Sequence, residues 1–152
     1  MGPVSPLKLT RPVFNTVEIR LLDDNHCFAC GKDNPHGLQL KFEAVAGGGA
    51  RAFFTPLKCH QGYKDITHGG ILTTILDEAM AQAAIFAGHF AVTAEITVRF
   101  RKTLEVGEPA RVEAKATPPR RGLVVAEASI FSERDGSLIA DAHCKLIAQE
   151  SH

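Results

Sequence analysis

One stretch of the chain sets the terms for everything around it. Ile71, Leu72, Ile75, Leu76, Ala79, Met80, Ala83 and Ala84 recur at helical spacing, with Gly69-Gly70 in front of them and Gly88 behind. The pattern predicts a helix of roughly 18 residues, about 27 Å long at ~1.5 Å per residue, and no other segment supports a long one. A helix this apolar has to be buried along most of its length, so the rest of the chain must enclose it.

The rest reads as strands. Leu38, Leu40 and Phe42 alternate with Gln39, Lys41 and Glu43 from Gly37 onward, and Gly47-Gly48-Gly49 marks a turn before a return strand over 51–55. Residues 56–67 carry no sustained period and read as a loop. Beyond the helix, residues 92–102 alternate most clearly, with Val92, Ala94, Ile96, Val98 and Phe100 on one face and Thr93, Glu95, Thr97, Arg99 and Arg101 on the other. Further strands are expected over 110–117, 123–132 and 137–148. They are separated by Pro118-Pro119-Arg120-Arg121-Gly122 and by Arg134-Asp135-Gly136, the latter a strong hairpin signal. Short turns force antiparallel neighbours. The economical packing is an α+β fold in which a curled antiparallel sheet wraps one long central helix, leaving an edge and a face for a second copy to cover.

A chain of 152 residues suits one domain, here 26–152, with residues 1–25 (Pro3, Pro6 and Pro12 among them) laid on it as an arm. Seventeen basic residues balance seventeen acidic ones. That balance argues against a nucleic-acid module or a membrane-surface peptide, and in favour of an oligomer that hides apolar surface. No run approaches the ~18 apolar residues of a membrane span, and no hydrophobic signal core follows the first residues, so a cytoplasmic protein is expected. Cys27, Cys30, Cys59 and Cys144 are then read as thiols or metal ligands before disulfides.

Two features of the helix carry chemistry. On a helical wheel Thr73, Thr74, Ala81 and Ala84 form a small-residue arc beside the buried stripe, and Asp77 sits among them with no basic residue three or four positions away. At the other end, Gly69 and Gly70 open the helix, where unpaired N–H groups and about half a positive charge suit a carbonyl oxygen turning negative. Gly69 and Asp77 stand eight residues apart, roughly 12 Å along the axis, so one reacting carbonyl cannot touch both on the same helix. Two helices running antiparallel across a two-fold axis would bring Gly69 of one to Asp77 of the other and create two equivalent sites.

Three runs then carry a resemblance: His68-Gly69-Gly70-Ile-Leu-Thr-Thr-Ile-Leu-Asp77-Glu-Ala, Val92-Thr93-Ala-Glu-Ile-Thr-Val-Arg-Phe-Arg, and Glu105-Val-Gly107-Glu. Together with the upstream Cys27-Phe-Ala-Cys30-Gly-Lys-Asp-Asn-Pro-His-Gly37-Leu-Gln-Leu, this order resembles the hotdog-fold acyl-CoA thioesterases of the PaaI-like branch, over about residues 26–148. The resemblance implies homodimers, sometimes paired into tetramers, with coenzyme A entering as part of the substrate and no separate cofactor. It implies that the Gly69 N–H polarises the thioester carbonyl, that Asp77 of the opposing subunit is general base or nucleophile, that Thr93 helps hold the attacking water, and that His68 shapes the turn. Gly70 would lie against the substrate. Gly62 stands where some relatives place an Asn as second carbonyl contact, so a backbone amide or Gln61 would have to replace it.

With zero net charge, cations for the coenzyme's phosphates must be local, and Arg101, Lys102, Arg120 and Arg121 are the candidates. Cys27, Cys30, Cys59 and His60 could in principle form a Cys3His zinc site, but adjacent Cys59 and His60 are poorly spaced for one ion, and no metal is expected. Acyl preference would depend on how Leu72, Leu76, Met80, Phe86 and Phe90 meet a second subunit. The rival functions are a non-catalytic acyl-CoA-binding hotdog protein and a hotdog dehydratase or hydratase; the latter chemistry needs a placed His beside a carboxylate, and the helix offers Asp77 alone.

Overall fold

The computed structural model describes residues 21–149. The expected arm over 1–25 falls outside them except for its last few residues. In chain order the elements are β1 (Glu43–Ala44), β2 (Ala50–Phe54), a single 3-10 turn (Lys58–His60), α1 (Gly69–Phe86), β3 (Ala91–Phe100), β4 (Ala110–Ala116), β5 (Leu123–Ser132) and β6 (Leu138–Ala148). The six strands form one sheet in the order β1-β2-β4-β5-β6-β3, antiparallel throughout. Helix α1 packs against β2, β4, β5, β6 and β3, so the sheet curls around it as expected.

Alanine makes that curl possible. Cross-strand register places Ala50 opposite Ala114, Ala114 opposite Ala128 and Ala128 opposite Ala142, a band of methyl groups crossing four strands. All four are buried, as are Ala79, Ala83 and Ala84 on the facing helix. Small side chains on both surfaces let the helix settle deep in the concave sheet, and Leu72, Ile75, Leu76 and Met80 fill the space to either side. Gly88, at φ +92°, stops the helix in the left-handed conformation that a side chain would resist. Phe86, in the last turn of α1, is exposed, although Ala83 and Ala84 of the same turn are buried.

The strand expected from Gly37 shrinks to the two residues of β1. Gln39 takes φ +50°, which breaks the extended run, and the amides of Leu38 and Leu40 donate to the carbonyls of Phe28 and Ala29 at 2.8 and 2.9 Å. The segment is held by the loop around Cys27 and Cys30 instead of by a neighbouring strand. Strand β3 also departs from simple alternation. Its pairing with β6 slips between Thr93 and Glu95, so Ala94 is an extra residue and a bulge. Thr93 therefore lies opposite buried Leu146 and shares the inner face with Ile96 and Val98, and not with Thr97 and Arg99 as strict alternation implies.

Candidate active site

The first half of the site is built at the head of α1. The amides of Thr67 and His68 donate to the carbonyls of Leu104 and His60, each at 2.8 Å, and fix the entry of the chain. His68 is the N-cap: its backbone is extended and its Nδ1 accepts the Gly70 N–H at 2.8 Å, which requires a neutral ring with its proton on Nε2. A Cβ on Gly70 would lie 3.0 Å from that nitrogen, so the cap itself asks for glycine. The His68 carbonyl accepts from Ile71 and Leu72 at 3.0 and 3.2 Å. Gly70 is thus spent on the cap, and the Gly69 N–H alone in this turn finds no acceptor among the described residues. It borders an open groove of about 740 Å³ lined by Gly62, Tyr63, His68, Leu72, Phe100, Arg101, Lys102 and Leu104 among others. The Phe100 ring lies over Gly69, close enough that a Cβ there would sit 3.3 Å from Cζ.

The second half lies two turns along. Asp77 is half-buried, and the Thr93 hydroxyl donates to its Oδ1 at 2.7 Å. The bulge at Ala94 is what turns that hydroxyl inward. Behind the carboxylate, Cys144 is buried in β6, and its thiol is pushed up to about 11 by burial and then by the charge of Asp77. The hydroxyls of Thr73 and Thr74 are occupied elsewhere, donating to the carbonyls of Gly69 and Gly70 at 2.8 and 3.0 Å.

Within one chain the two halves stay apart, as eight helical residues require. The four expected cations also divide. Arg101 and Lys102 border the groove at the Gly69 end, but each already faces an acid: Arg101 meets Asp141 at 2.7 Å and Lys102 meets Asp135 at 3.1 Å. Arg120 and Arg121 lie at the other end of the sheet, where Arg120 bridges Leu123, Leu123 faces Ile147 and Ala91 faces Ala148. Ten residues of β3 separate those ends, about 30 Å at ~3.3 Å per residue. Gly62 lines the groove, yet its N–H is already bonded to the Ile66 carbonyl at 2.8 Å. Gln61 uses its side-chain oxygen on the Asp65 amide at 3.1 Å. Of the side chains named for acyl preference, Leu76 and Met80 are fully enclosed in the core, while Leu72 borders the groove and Phe86 and Phe90 are exposed. The cover by Phe100 and the position of Tyr63 had no signal in the sequence, since both depend on how β3 and the 61–67 loop fold over the helix head.

The Cys3His grouping does not form. Cys59 is exposed in the 3-10 turn, and His60 Nδ1 accepts the Leu57 N–H at 2.9 Å. Cys27 and Cys30 instead meet Glu78 of α1. Burial lowers the affinity of His60 for a proton below its ordinary 6.5. The folded form therefore holds fewer protons than the unfolded one, and stability is kept above about pH 6.5 and lost as pH falls from there toward the folded value. Hydrogen exchange at the Leu57 amide should accelerate over that window; a rate unchanged once corrected for intrinsic chemistry would contradict it.

Residues 65–139, just under half the chain, match the sequence profile of the thioesterase superfamily. An uncharacterised protein of Schizosaccharomyces pombe is 37% identical over 61 residues, which is 39% of this chain and 35% of that protein, so the match spans about a third of the relative's length. Among solved structures, a thioesterase superfamily protein superposes with TM-score 0.76 at 21% identity, over 82% of this chain and 61% of its own. A hypothetical thioesterase from Streptococcus pneumoniae, crystallised with coenzyme A, gives TM-score 0.68 at 17% identity over 74% and 88% of the two chains. The PaaI protein of E. coli, from the phenylacetic acid degradation operon, gives 0.66 at 21% identity over 72% and 83%. At such identities the likeness is one of fold. The long helix in its curled six-stranded antiparallel sheet is the hotdog fold of these thioesterases, and the segment from helix to early β6 carries the thioesterase superfamily pattern.

Proposed function

We propose that the protein hydrolyses an acyl-CoA or a closely related acyl thioester, in the manner of the PaaI-like branch, with each site shared between two copies of the chain. The observation that carries this reading is the division of labour along α1: one free amide at the helix head beside an open groove, and one hydroxyl-braced carboxylate two turns away. The edge strand supports the pairing. Among the described residues β3 has a neighbour on one side only, and Phe90, Val92 and Phe100 on or beside it are exposed. Two β3 edges joined antiparallel would also set their helices antiparallel, and would carry the Arg120-Arg121 turn of one copy toward the Gly69, Arg101 and Lys102 end of the other.

In such a pair the thioester carbonyl rests on the Gly69 N–H. Asp77 of the opposing copy, held by its own Thr93, takes a proton from water while the water oxygen bonds to the carbonyl carbon. The oxygen turning negative is met by the amide and the positive helix end. Collapse of the tetrahedral adduct breaks the C–S bond, and the proton on Asp77 passes to the departing thiolate. Asp77 attacking the carbon itself, with water releasing the resulting anhydride, uses the same groups. The phosphates would draw Arg101 and Lys102 from their acids, a modest cost, since exposed ion pairs are worth roughly 0–1 kcal/mol.

The test is release of free thiol from a panel of acyl-CoAs of increasing chain length, run beside a measurement of molecular mass. We expect turnover of at least one of them by a species of twice the chain mass or more. A monomer with full activity would end the shared-site reading. The second reading, a binding protein without turnover, is favoured by one fact: the Gly62 N–H that could have served as a second carbonyl donor is already used by Ile66. It predicts saturable acyl-CoA binding with no thiol released.

A further inference from the structure

We infer that Cys27, Cys30 and Glu78 form a zinc site that clips the 25–40 loop to the middle of α1. The inference does not depend on the thioesterase reading. The ligating atoms of the three residues all lie within 4.8 Å of one another. Cys27 Sγ stands 3.8 Å from Glu78 Oε2, and the Gln82 amide lies 3.7 Å from Cys30 Sγ and 2.9 Å from Glu78 Oε1. Tetrahedral zinc with bonds of ~2.3 Å to sulfur and ~2.1 Å to oxygen holds its ligand atoms roughly 3.6–3.8 Å apart. The cluster therefore needs only a small contraction to receive the ion. Gln82 stands at the fourth corner, and turning its amide over would present the oxygen; water is the other occupant of that position.

The loop is shaped for this before any ion arrives. In Cys27-Phe-Ala-Cys30-Gly31 the Gly31 amide closes a turn onto the Cys27 carbonyl at 2.8 Å, and both sulfurs end on the side of α1. A Cβ on Gly31 would lie 2.6 Å from the carbonyl oxygens of both Asn25 and Cys27, so the turn admits only glycine. The amides of Asp33, Leu38 and Leu40 donate to Asn25, Phe28 and Ala29 at 2.8–3.0 Å, which locks the loop in place. Two thiols at this spacing with a carboxylate suit a borderline-soft cation.

Charge points the same way. Glu78 is half-buried, and among the described residues it forms no ion pair with Lys, Arg or His. Three groups that each become anions as ligands are packed together, with no cation paired to them among the described residues. A divalent ion reverses that repulsion and lets both thiols ionise.

The experiment strips the purified full-length chain with a chelator under reducing conditions, then titrates it with zinc and, separately, with cobalt. We expect about one ion per chain, a raised Tm on zinc loading, and thiolate-to-cobalt charge-transfer absorption together with the visible bands of tetrahedral cobalt. Cys30→Ser should abolish the charge-transfer band or halve it and lower zinc affinity at least tenfold, and Glu78→Gln should lower affinity without removing the band. The wild-type cobalt spectrum requires no variant, so a misfolded mutant cannot obscure the answer. Three results would each overturn the site: less than a tenth of an ion bound per chain, zinc uptake unchanged in Cys30→Ser, or a reduced chain that excludes both metals and readily forms a Cys27–Cys30 disulfide instead.

Discussion

Asp77→Asn is expected to lower thiol release from an acyl-CoA by about 10²–10⁴-fold while acyl-CoA binding stays within a few-fold of wild type. The substitution isolates one property. Asparagine has the shape of aspartate, and its side-chain oxygen can still accept the Thr93 hydroxyl that now donates to Asp77 Oδ1 at 2.7 Å. What it lacks is the capacity to take a proton from water or to attack carbon. The groove at the helix head, about 740 Å³ and bounded by Gly69, Phe100 and Leu72, is untouched, so the ligand should still dock. Steady-state turnover and equilibrium binding measured on the same preparation check both halves. Turnover at the wild-type rate would show that another group moves the proton.

Leu76→Ala should cost about 3 kcal/mol, within the 2–5 kcal/mol usual for deleting a buried leucine, and lower Tm by roughly 6–12 °C in a chain of this size. Leu76 is fully enclosed at the centre of α1, one residue before the candidate base. The cost should stay clear of the bottom of that range because its surroundings cannot collapse into the gap. The neighbouring band of Ala50, Ala114, Ala128 and Ala142 has only methyl groups to offer, and Ala79, Ala83 and Ala84 on the helix have no more. Denaturant unfolding by circular dichroism and by intrinsic fluorescence of Tyr63 should give the same midpoint shift. A loss below 1 kcal/mol would mean that the helix can sink further into the sheet than this packing allows.

Most of the fold is legible in the chain because its signals are local. The 3.6-residue stripe over 71–84 and the flanking glycines place α1 within a residue or two, and β5 appears over the very residues 123–132 that alternation marks out. What escapes is long-range. Residues 38–42 alternate like a strand, yet their amides go to Phe28 and Ala29, a pairing decided by where the 25–31 loop lands. Arg101 and Lys102 read as free cations, but Asp141 and Asp135, some 40 and 33 residues later, reach them across the sheet. Glu78 and Cys27, 51 residues apart, meet for the same reason. Gly69 and Asp77 could be named from helix geometry, whereas the choice of Gly69 over Gly70 as the free amide required seeing His68 claim the other one.

The bulge at Ala94 makes the site depend on counting. Side chains along a strand obey parity, so a single surplus residue exchanges odd for even from that point to the strand's end. Losing Ala94 would leave the length and composition of β3 almost unaltered. It would force a choice between keeping Ile96 and Val98 on the core and keeping Thr93 on Asp77, because the strand could no longer do both. A difference of one alanine among related chains would therefore decide whether the carboxylate has a hydroxyl to steady it, with no change at Asp77 or Gly69.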